Sequence, residues 1–455
     1  MREFLLKHKN ENPAAFHMPG HKGDRLFRRF GYDDFLDNIA GCDITEIPGA
    51  DNLFQAESII KGTMEKYKRL YGSRQSYLLI NGTSGGLIAS VLAAVPSGGK
   101  LILARNCHKS VFNAMRLGNI SPVYAYPQMI YEYGIMGEVS ADEIRRCIFE
   151  NPDASAVILP SPNYYGICSD IEKIADICHE AGKVLIVDQA HGAHLKFMDN
   201  MPEAAEDCGA DLVVNSIHKT LCSFTQSAVL NLCSDRVDKD ILEDRLQMIQ
   251  STSPSYLLMA CLDVNADMLL EHKAELMAEW EDNIDWFYRE AAKIDGLKIM
   301  KTDNLDRTKI NVDYGMSGSV LEKKLMEKGI YSELNTGNIL MLMTGIGNTR
   351  SDYERLVTAL KEIEPGNLDK PNECGSLWLK KREIHKTGNI LDKVKLDDAE
   401  GRICGASVIP YPPGIPLICP GEKIEREEIE YIKTLRGRGD KVIGINEDEE
   451  VVVTR

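Results

Sequence analysis

Apolar positions between residues 59 and 214 fall into short continuous runs separated by stretches of helical period. Tyr77–Ile80, Leu101–Ala104, Val123–Tyr126, Ala156–Leu159, Val184–Val187 and Leu212–Val214 read as strands buried on both faces. Between them Gly86–Val95, Lys109–Leu117, Ala141–Phe149 and Asp170–Glu180 read as helices of about three turns, and Ile59–Tyr71 as a helix leading into the first strand. This alternation predicts a mostly parallel sheet with helices on both faces. A helical region from Asp235 to Ile294 follows, interrupted at Ser251-Thr-Ser-Pro-Ser255. Strands at Lys298–Met300, Lys309–Val312 and Ile339–Thr344, with helices at Gly318–Lys328 and Ser351–Ile363, then make a second, smaller α/β unit. Residues 1–60 show little periodicity but carry dense Pro- and Gly-containing clusters. The expected organisation is an N-terminal segment (1–60) contributing to the active site and a dimer interface, a large α/β domain (61–250), a small α/β domain (251–365) and a C-terminal domain (366–455).

In such a sheet the ligand sits at the carboxyl ends of the strands, so the loops that follow them carry the information. In order they are Asn81-Gly-Thr-Ser-Gly-Gly86, Arg105-Asn-Cys-His108, Pro160-Ser-Pro-Asn-Tyr-Tyr-Gly166, Asp188-Gln-Ala-His191 and Ser216-Ile-His-Lys219. Lys219 stands directly after a buried strand. A lysine there either snorkels out of the strand end or is a desolvated amine able to form an imine with an aldehyde. The Asn81 loop opens a helix. It reads as an ordinary N-cap, or as a phosphate cradle built from free N–H groups, the Thr83 and Ser84 hydroxyls and the close approach that Gly85 permits. No G-K-[ST] is present, so it is not a P-loop. Asp188 reads as the partner of a protonated heterocyclic nitrogen, as an N-cap, or as a metal ligand with His191 and His194, although no further carboxylate at a suitable spacing supports a metal. His108, His191 and His218 all fall at predicted strand ends. Together, cradle, carboxylate and lysine describe a site for pyridoxal 5′-phosphate, with its phosphate at the helix N-terminus, its ring nitrogen on Asp188 and its aldehyde on Lys219 as a Schiff base.

Charge narrows the partners. A formal net charge of −16 over 455 residues argues against nucleic acid, which needs a basic surface. No apolar segment is long enough to span a bilayer, and the apolar run near Met1 is too short for a signal peptide. A cytoplasmic protein with no membrane partner is the expectation. Twelve cysteines are scattered with no C-x-x-C spacing, which predicts buried thiols rather than a zinc or iron–sulfur site.

Six motifs in order carry a resemblance. They are Phe16-His-Met-Pro-Gly-His-Lys-Gly23, Asp43-Ile-Thr-Glu-Ile-Pro-Gly49, Asn81-Gly-Thr-Ser-Gly85, Asp188-Gln-Ala-His-Gly-Ala-His194, Ser216-Ile-His-Lys-Thr220 and Tyr411-Pro-Pro-Gly-Ile-Pro-Leu417. With them the chain resembles the compact bacterial form of the Orn/Lys/Arg decarboxylase family, within the aspartate-aminotransferase-like (fold type I) pyridoxal-phosphate enzymes. The resemblance implies Lys219 as the Schiff-base lysine and Asp188 as the partner of the pyridine nitrogen. It places Thr83, Ser84 and Ser216 on the phosphate with His218 nearby, His108 on the cofactor ring, and His191 near the ring oxygen or the substrate. Some relatives have an aromatic such as Trp where His191 stands. The implied reaction is decarboxylation of a basic amino acid, arginine or lysine ahead of ornithine, with Lys219 or a nearby histidine returning the proton to Cα.

A cationic substrate calls for a carboxylate in a partly dry pocket, and Glu46, Glu333 and Glu422 are the candidates. The fold type further implies a homodimer or higher homo-oligomer with shared sites. His17–His21 and Ser251–Pro254 are candidates to reach the partner subunit, the latter equally an N-cap. Two other readings stand beside this one. An aminotransferase or aldolase-type lyase of the same fold would hold the α-carboxylate on a fixed arginine, for which Arg350 is the candidate. A catalytically inactive, polyamine-binding regulatory subunit has no need to keep both Lys219 and Asp188.

Overall fold

The computed structural model describes residues 1–368, 374–385, 391–411, 414–437 and 439–454. Its main sheet has seven strands: β1 (Gln75–Leu79), β2 (Lys100–Ala104), β3 (Ser121–Ala125), β4 (Ala154–Pro160), β5 (Val184–Asp188), β6 (Leu212–Asn215) and β7 (Ala228–Leu232). They lie in the order β1-β7-β6-β5-β4-β2-β3. β7 runs antiparallel to both its neighbours and the remaining pairs are parallel. Both faces are covered, and the middle of nearly every strand is fully buried. The runs that read as strands are strands, within a residue or two at each end.

β7 is the strand that the apolar pattern misses. It follows the Lys219 turn with no helix between, and Asn231 breaks its apolar run. That asparagine is fully buried and satisfied: its amide accepts from Ser76 Oγ at 2.7 Å and donates to Glu206 at 2.8 Å. The helix after β1 also differs, starting at Gly82 rather than Gly86, so the residues of the expected cradle form its first turn. Arg2–Glu11 is helical although it buries no residue, which leaves no apolar stripe to read.

A second sheet holds β8 (Lys298–Ile299), β9 (Lys309–Asp313), β10 (Leu334–Thr336) and β11 (Ile339–Met343), all antiparallel, in the order β8-β9-β11-β10. The two sheets are joined by one helix, Tyr256–Ala291, of 36 residues. Ser255 caps it, its Oγ accepting from Leu258 N–H at 3.4 Å, and Ser251–Ser253 are exposed ahead of it. Near its start Leu262 O accepts from Tyr67 Oη at 2.9 Å; further on, Trp280 Nε1 donates to Thr344 Oγ1 at 3.0 Å. Beyond residue 374 a separate apolar cluster forms around the helix Arg426–Gly437.

The N-terminal segment docks on its own chain. Gly20 N–H donates to His218 O at 2.7 Å, Gly347 N–H to Gly20 O at 3.0 Å, and Ile346 N–H to Thr220 O at 2.9 Å. Backbones can stack this closely only without side chains: a Cβ on Gly20 would lie 2.4 Å from the Thr220 carbonyl carbon, and one on Gly345 2.6 Å from Gly20 O. The turn that carries Lys219 is thus wedged between the N-terminal segment and the small sheet. The loop ahead of the Ile59–Tyr71 helix is drawn together by Asp51, whose carboxylate accepts from the N–H groups of Asn52, Glu57, Ser58 and Ile60 at 2.8–3.0 Å.

Candidate active site

The carboxyl ends of β1, β2, β4, β5 and β6 meet at one cavity of about 270 Å³. Thr83, Ser84, His108, Asp188, His191, Ser216, His218 and Lys219 all line it, and Gly85 is buried in the adjoining first helical turn. Residues scattered over more than a hundred positions are brought together as the loop argument expects.

Lys219 sits on a single turn of helix, Ile217–Thr220, that caps β6. Its Nζ lies 3.0 Å from His191 Nε2 and 5.8 Å from the centre of the Tyr164 ring. Burial pushes its ammonium below the usual lysine range; Asp188 and Glu333 pull the other way, and Lys309 adds to the depression. This is a desolvated amine rather than a snorkelling one. His191 is buried, its ring centre 4.4 Å from that of Tyr164, and burial beside Lys219 holds it neutral, well below the usual histidine range.

Asp188 ends β5 and is buried. Its Oδ1 accepts from Ala190 N–H at 3.2 Å, and among the described residues no side chain donates to it. Burial raises its carboxyl pKa while the Lys219 charge lowers it. A dry carboxylate with one backbone donor is poised to take a cationic N–H. Among the described residues no group of three or more His, Cys, Asp or Glu side chains is placed to hold a metal.

The helix from Gly82 has no side-chain cap. Asn81 stands at its N-cap position, but its Nδ2 turns away to donate to Ile249 O at 2.9 Å. The first N–H groups of a helix have no intrahelical acceptor, so this end presents free donors and the Thr83 and Ser84 hydroxyls to the cavity. His108 caps the helix Lys109–Gly118, its Nδ1 accepting from Ser110 N–H at 3.3 Å, and burial holds it neutral with a pKa down at about 3. His218 Nδ1 donates to Ser227 O at 3.0 Å, and burial lowers its pKa to about 4.

The three candidate substrate acids separate. Glu422 is corrected: it is fully buried, with Oε2 accepting from Arg105 Nη2 at 3.1 Å and from Cys419 N–H at 2.8 Å, and it lies outside the cavity lining. Its charge is consumed in joining the loop after β2 to the C-terminal segment. Glu46 is exposed and also outside the lining. Glu333 is half-buried beside the cavity, its Oε2 accepting from the N–H of Met18, which lines it, at 2.9 Å. Arg350 is likewise elsewhere, donating to Asn283 Oδ1 at 2.8 Å and Asp282 Oδ2 at 2.6 Å on the long helix. No arginine lines the cavity among the described residues.

Sequence reasoning passed over Asn106, Tyr164 and Tyr165, which line the cavity from predicted strand-end loops. Asn106 is buried and its Oδ1 has no partner among the described residues, which marks it as open to a ligand. Met18, Tyr411 and Ile415 close the wall from the two ends of the chain. Pro412 and Pro413, in the same motif as Tyr411 and Ile415, lie outside the described residues.

The strand order and the lysine-bearing turn define an enzyme fold of the aspartate-aminotransferase-like type, fold type I. Solved structures agree. The lysine decarboxylase of Francisella novicida superposes with a TM-score of 0.77 at 21% identity, over 96% of this chain and 78% of that one. The serine palmitoyltransferase of Sphingomonas wittichii gives 0.54 at 14% identity, over 67% and 75%. Sequence profiles go further: the Orn/Lys/Arg decarboxylase major domain matches residues 1–287, and the C-terminal domain of the same family matches residues 381–453. The chain belongs to the Orn/Lys/Arg decarboxylase family. The arginine decarboxylase of Bacillus subtilis is 32% identical over 455 residues, which is 94% of this chain and 91% of that protein. The inducible lysine decarboxylase of Escherichia coli K12 is 24% identical over 567 residues, 98% of this chain and 78% of that one.

Proposed function

We propose that this chain decarboxylates a basic amino acid, arginine or lysine ahead of ornithine, using pyridoxal 5′-phosphate bound at Lys219. The observation that carries the reading is the desolvated Lys219 amine facing an underserved buried carboxylate across a cavity with an uncapped helix end. The residues fit the cofactor at each point. The free N–H groups at Gly82–Ser84, with the Thr83, Ser84 and Ser216 hydroxyls, would hold the phosphate; Asp188 would keep a proton on the ring nitrogen; and the neutral His108 would offer its ring to that of the cofactor. Bound there, pyridoxal phosphate supplies an electron sink for the pair left when a Cα–carboxylate bond breaks.

The protein does the rest. Lys219 Nζ, with its proton affinity lowered by burial, gives up a proton more readily than an exposed lysine, and His191 at 3.0 Å is the group it exchanges with or that assists it at Cα. The apolar wall of Met18, Tyr164, Tyr411 and Ile415 keeps water from the reacting carbon. Glu333 is the acid placed to meet the cationic end of the substrate. The absence of an arginine from the described lining supports loss of the α-carboxylate over a reaction that must retain it. Two copies sharing sites is the assembly we assign, by analogy with the fold type. The deciding experiment is a panel of arginine, lysine and ornithine with carbon dioxide and amine both measured. Stoichiometric carbon dioxide and amine from one of them is expected; keto acid without carbon dioxide overturns the reading.

A further inference from the structure

One buried ionic cluster that touches the site takes no part in the proposed reaction. Lys309, the first residue of β9, is fully buried, although a lysine at a strand start is ordinarily solvated. Its Nζ donates to Asp306 Oδ2 at 2.7 Å, to the His191 carbonyl at 2.6 Å and to Thr308 Oγ1 at 3.1 Å. Asp306 is equally buried. Its Oδ1 accepts from the Thr308 hydroxyl at 2.6 Å, from Thr308 N–H at 3.0 Å and from His194 Nε2 at 3.1 Å. Both histidines of the Asp188–His194 motif are therefore gripped from the small sheet, one by its backbone and one by its ring. Buried ion pairs are a poor way to gain stability, since apolar groups of the same volume usually do as well. A placement role explains the pair better.

We propose that Lys309, anchored by Asp306, is a positioning residue that fixes His191 against the Lys219 amine, so that the small sheet completes the active site. The inference rests on Lys219 being the cofactor lysine. Its geometric basis is that the His191 ring has little else to hold it. Among the described residues Nδ1 has no partner and Nε2 meets only Lys219, and Tyr164 bounds one side. The backbone therefore sets where the ring stands, and Lys309 holds that backbone at its carbonyl. Lys309 is also a second cation in the same dry region. The charges facing Lys219 are Asp188 and Glu333, which favour its protonated form, and Lys309, which disfavours it. Those facing His191 are Lys219, Lys309 and Asp306, with His108 nearby.

The test uses Lys309→Met, Asp306→Asn and the double variant in the full-length protein. Either single change leaves a buried charge unpaired and can block folding; the double change leaves none and provides the folded comparison. The first readout uses cofactor-free protein: the pH dependence of Lys219 acetylation by acetic anhydride, followed by mass spectrometry. The midpoint should rise in the double variant, because the cation that depresses the Lys219 amine is gone, and by less than in Lys309→Met, where Asp306 keeps its charge. The second is steady-state kinetics of the loaded enzyme, where kcat should fall about 10- to 100-fold with KM little changed. An unmoved midpoint together with parental kcat overturns the proposal. Borohydride reduction of the loaded parent separates the two levels. Label on Lys219 with an unmoved midpoint and parental kcat removes this inference alone, whereas no label on Lys219 removes it together with the cofactor site beneath it.

Discussion

Replacing Glu422 by Gln keeps the shape of the side chain and removes the charge that pairs with Arg105. Both side chains are completely buried, and the contact is 3.1 Å. Arg105 cannot relax toward water, because it also donates to Pro416 O at 2.7 Å and Leu417 O at 2.9 Å and stacks 5.2 Å over the Tyr124 ring. Removing one member of a fully buried pair strands the other, at a cost of about 3–5 kcal/mol. The strain falls on the seat of the C-terminal segment on the main sheet. At about 1.4 kcal/mol per factor of ten, opening of that segment should become roughly a hundred- to a few thousand-fold more frequent. Hydrogen–deuterium exchange on peptides covering 403–411 and 414–424 reads this directly, with β5 and β6 as internal references. The double variant Arg105→Leu/Glu422→Leu should exchange nearly as the parent does, since no charge is left behind. A single variant that exchanges less than about tenfold faster would show that the charge does not hold the segment.

Further expectations follow from the same geometry. Asp188→Asn should keep the cofactor on Lys219 but lower turnover by roughly a hundredfold or more, since an amide cannot hold the ring proton; parental turnover would sink that role. Glu333→Gln should raise KM for the basic amino acid at least about tenfold with a smaller change in kcat, and an unchanged KM would remove Glu333 as the reader of the cationic end. Gly345→Ala puts a methyl 2.6 Å from Gly20 O and should lower the melting temperature by an amount equivalent to about 1–3 kcal/mol, whereas Gly41→Ala, with open space around it, should not. Asp51 has a pKa of about 2: burial raises it, but four backbone donors outweigh that and carry it below the ordinary 3.8. Its contribution to stability is complete above the unfolded value and is lost as pH falls through the folded one. The stability gap between parent and Asp51→Asn should therefore persist down to about pH 4 and close toward pH 2; a gap already closed at pH 5 would contradict the depressed pKa.

What the sequence discloses depends on how local the cause is. Continuous apolar runs bracketed by helical periods located six strands of the main sheet, because strands buried on both faces must be apolar throughout. The strand-end loops then disclosed most of the cavity, since topology alone brings those ends together. β7 escaped because no helical stretch sets it off from β6, its pairing with β1 is distant in sequence, and the asparagine that breaks its apolar run is satisfied by a buried carboxylate. Glu422 was misread for the same reason. Nothing near it in the chain signals a partner at Arg105, and an isolated acid beside Pro and Gly looks like any loop carboxylate. Arg350 and Lys309 show the two sides of the difficulty. A cation at a helix start turns out to be held on a helix surface, and one that looks like an exposed strand end turns out to be wholly enclosed. Long-range polar pairing is set by packing, and periodicity does not report it.

The account stands or falls on Lys219, which changes from a strand-end cation to a desolvated amine once Asp188, His191 and the uncapped helix are seen around it. The most direct measurement is to load the protein with pyridoxal phosphate, reduce it with borohydride and map the label by peptide mass spectrometry. A single pyridoxyl group on Lys219, absent from Lys219→Ala along with the visible absorption band, is the predicted result. Label on another lysine, or a protein that takes up no cofactor, would contradict the account.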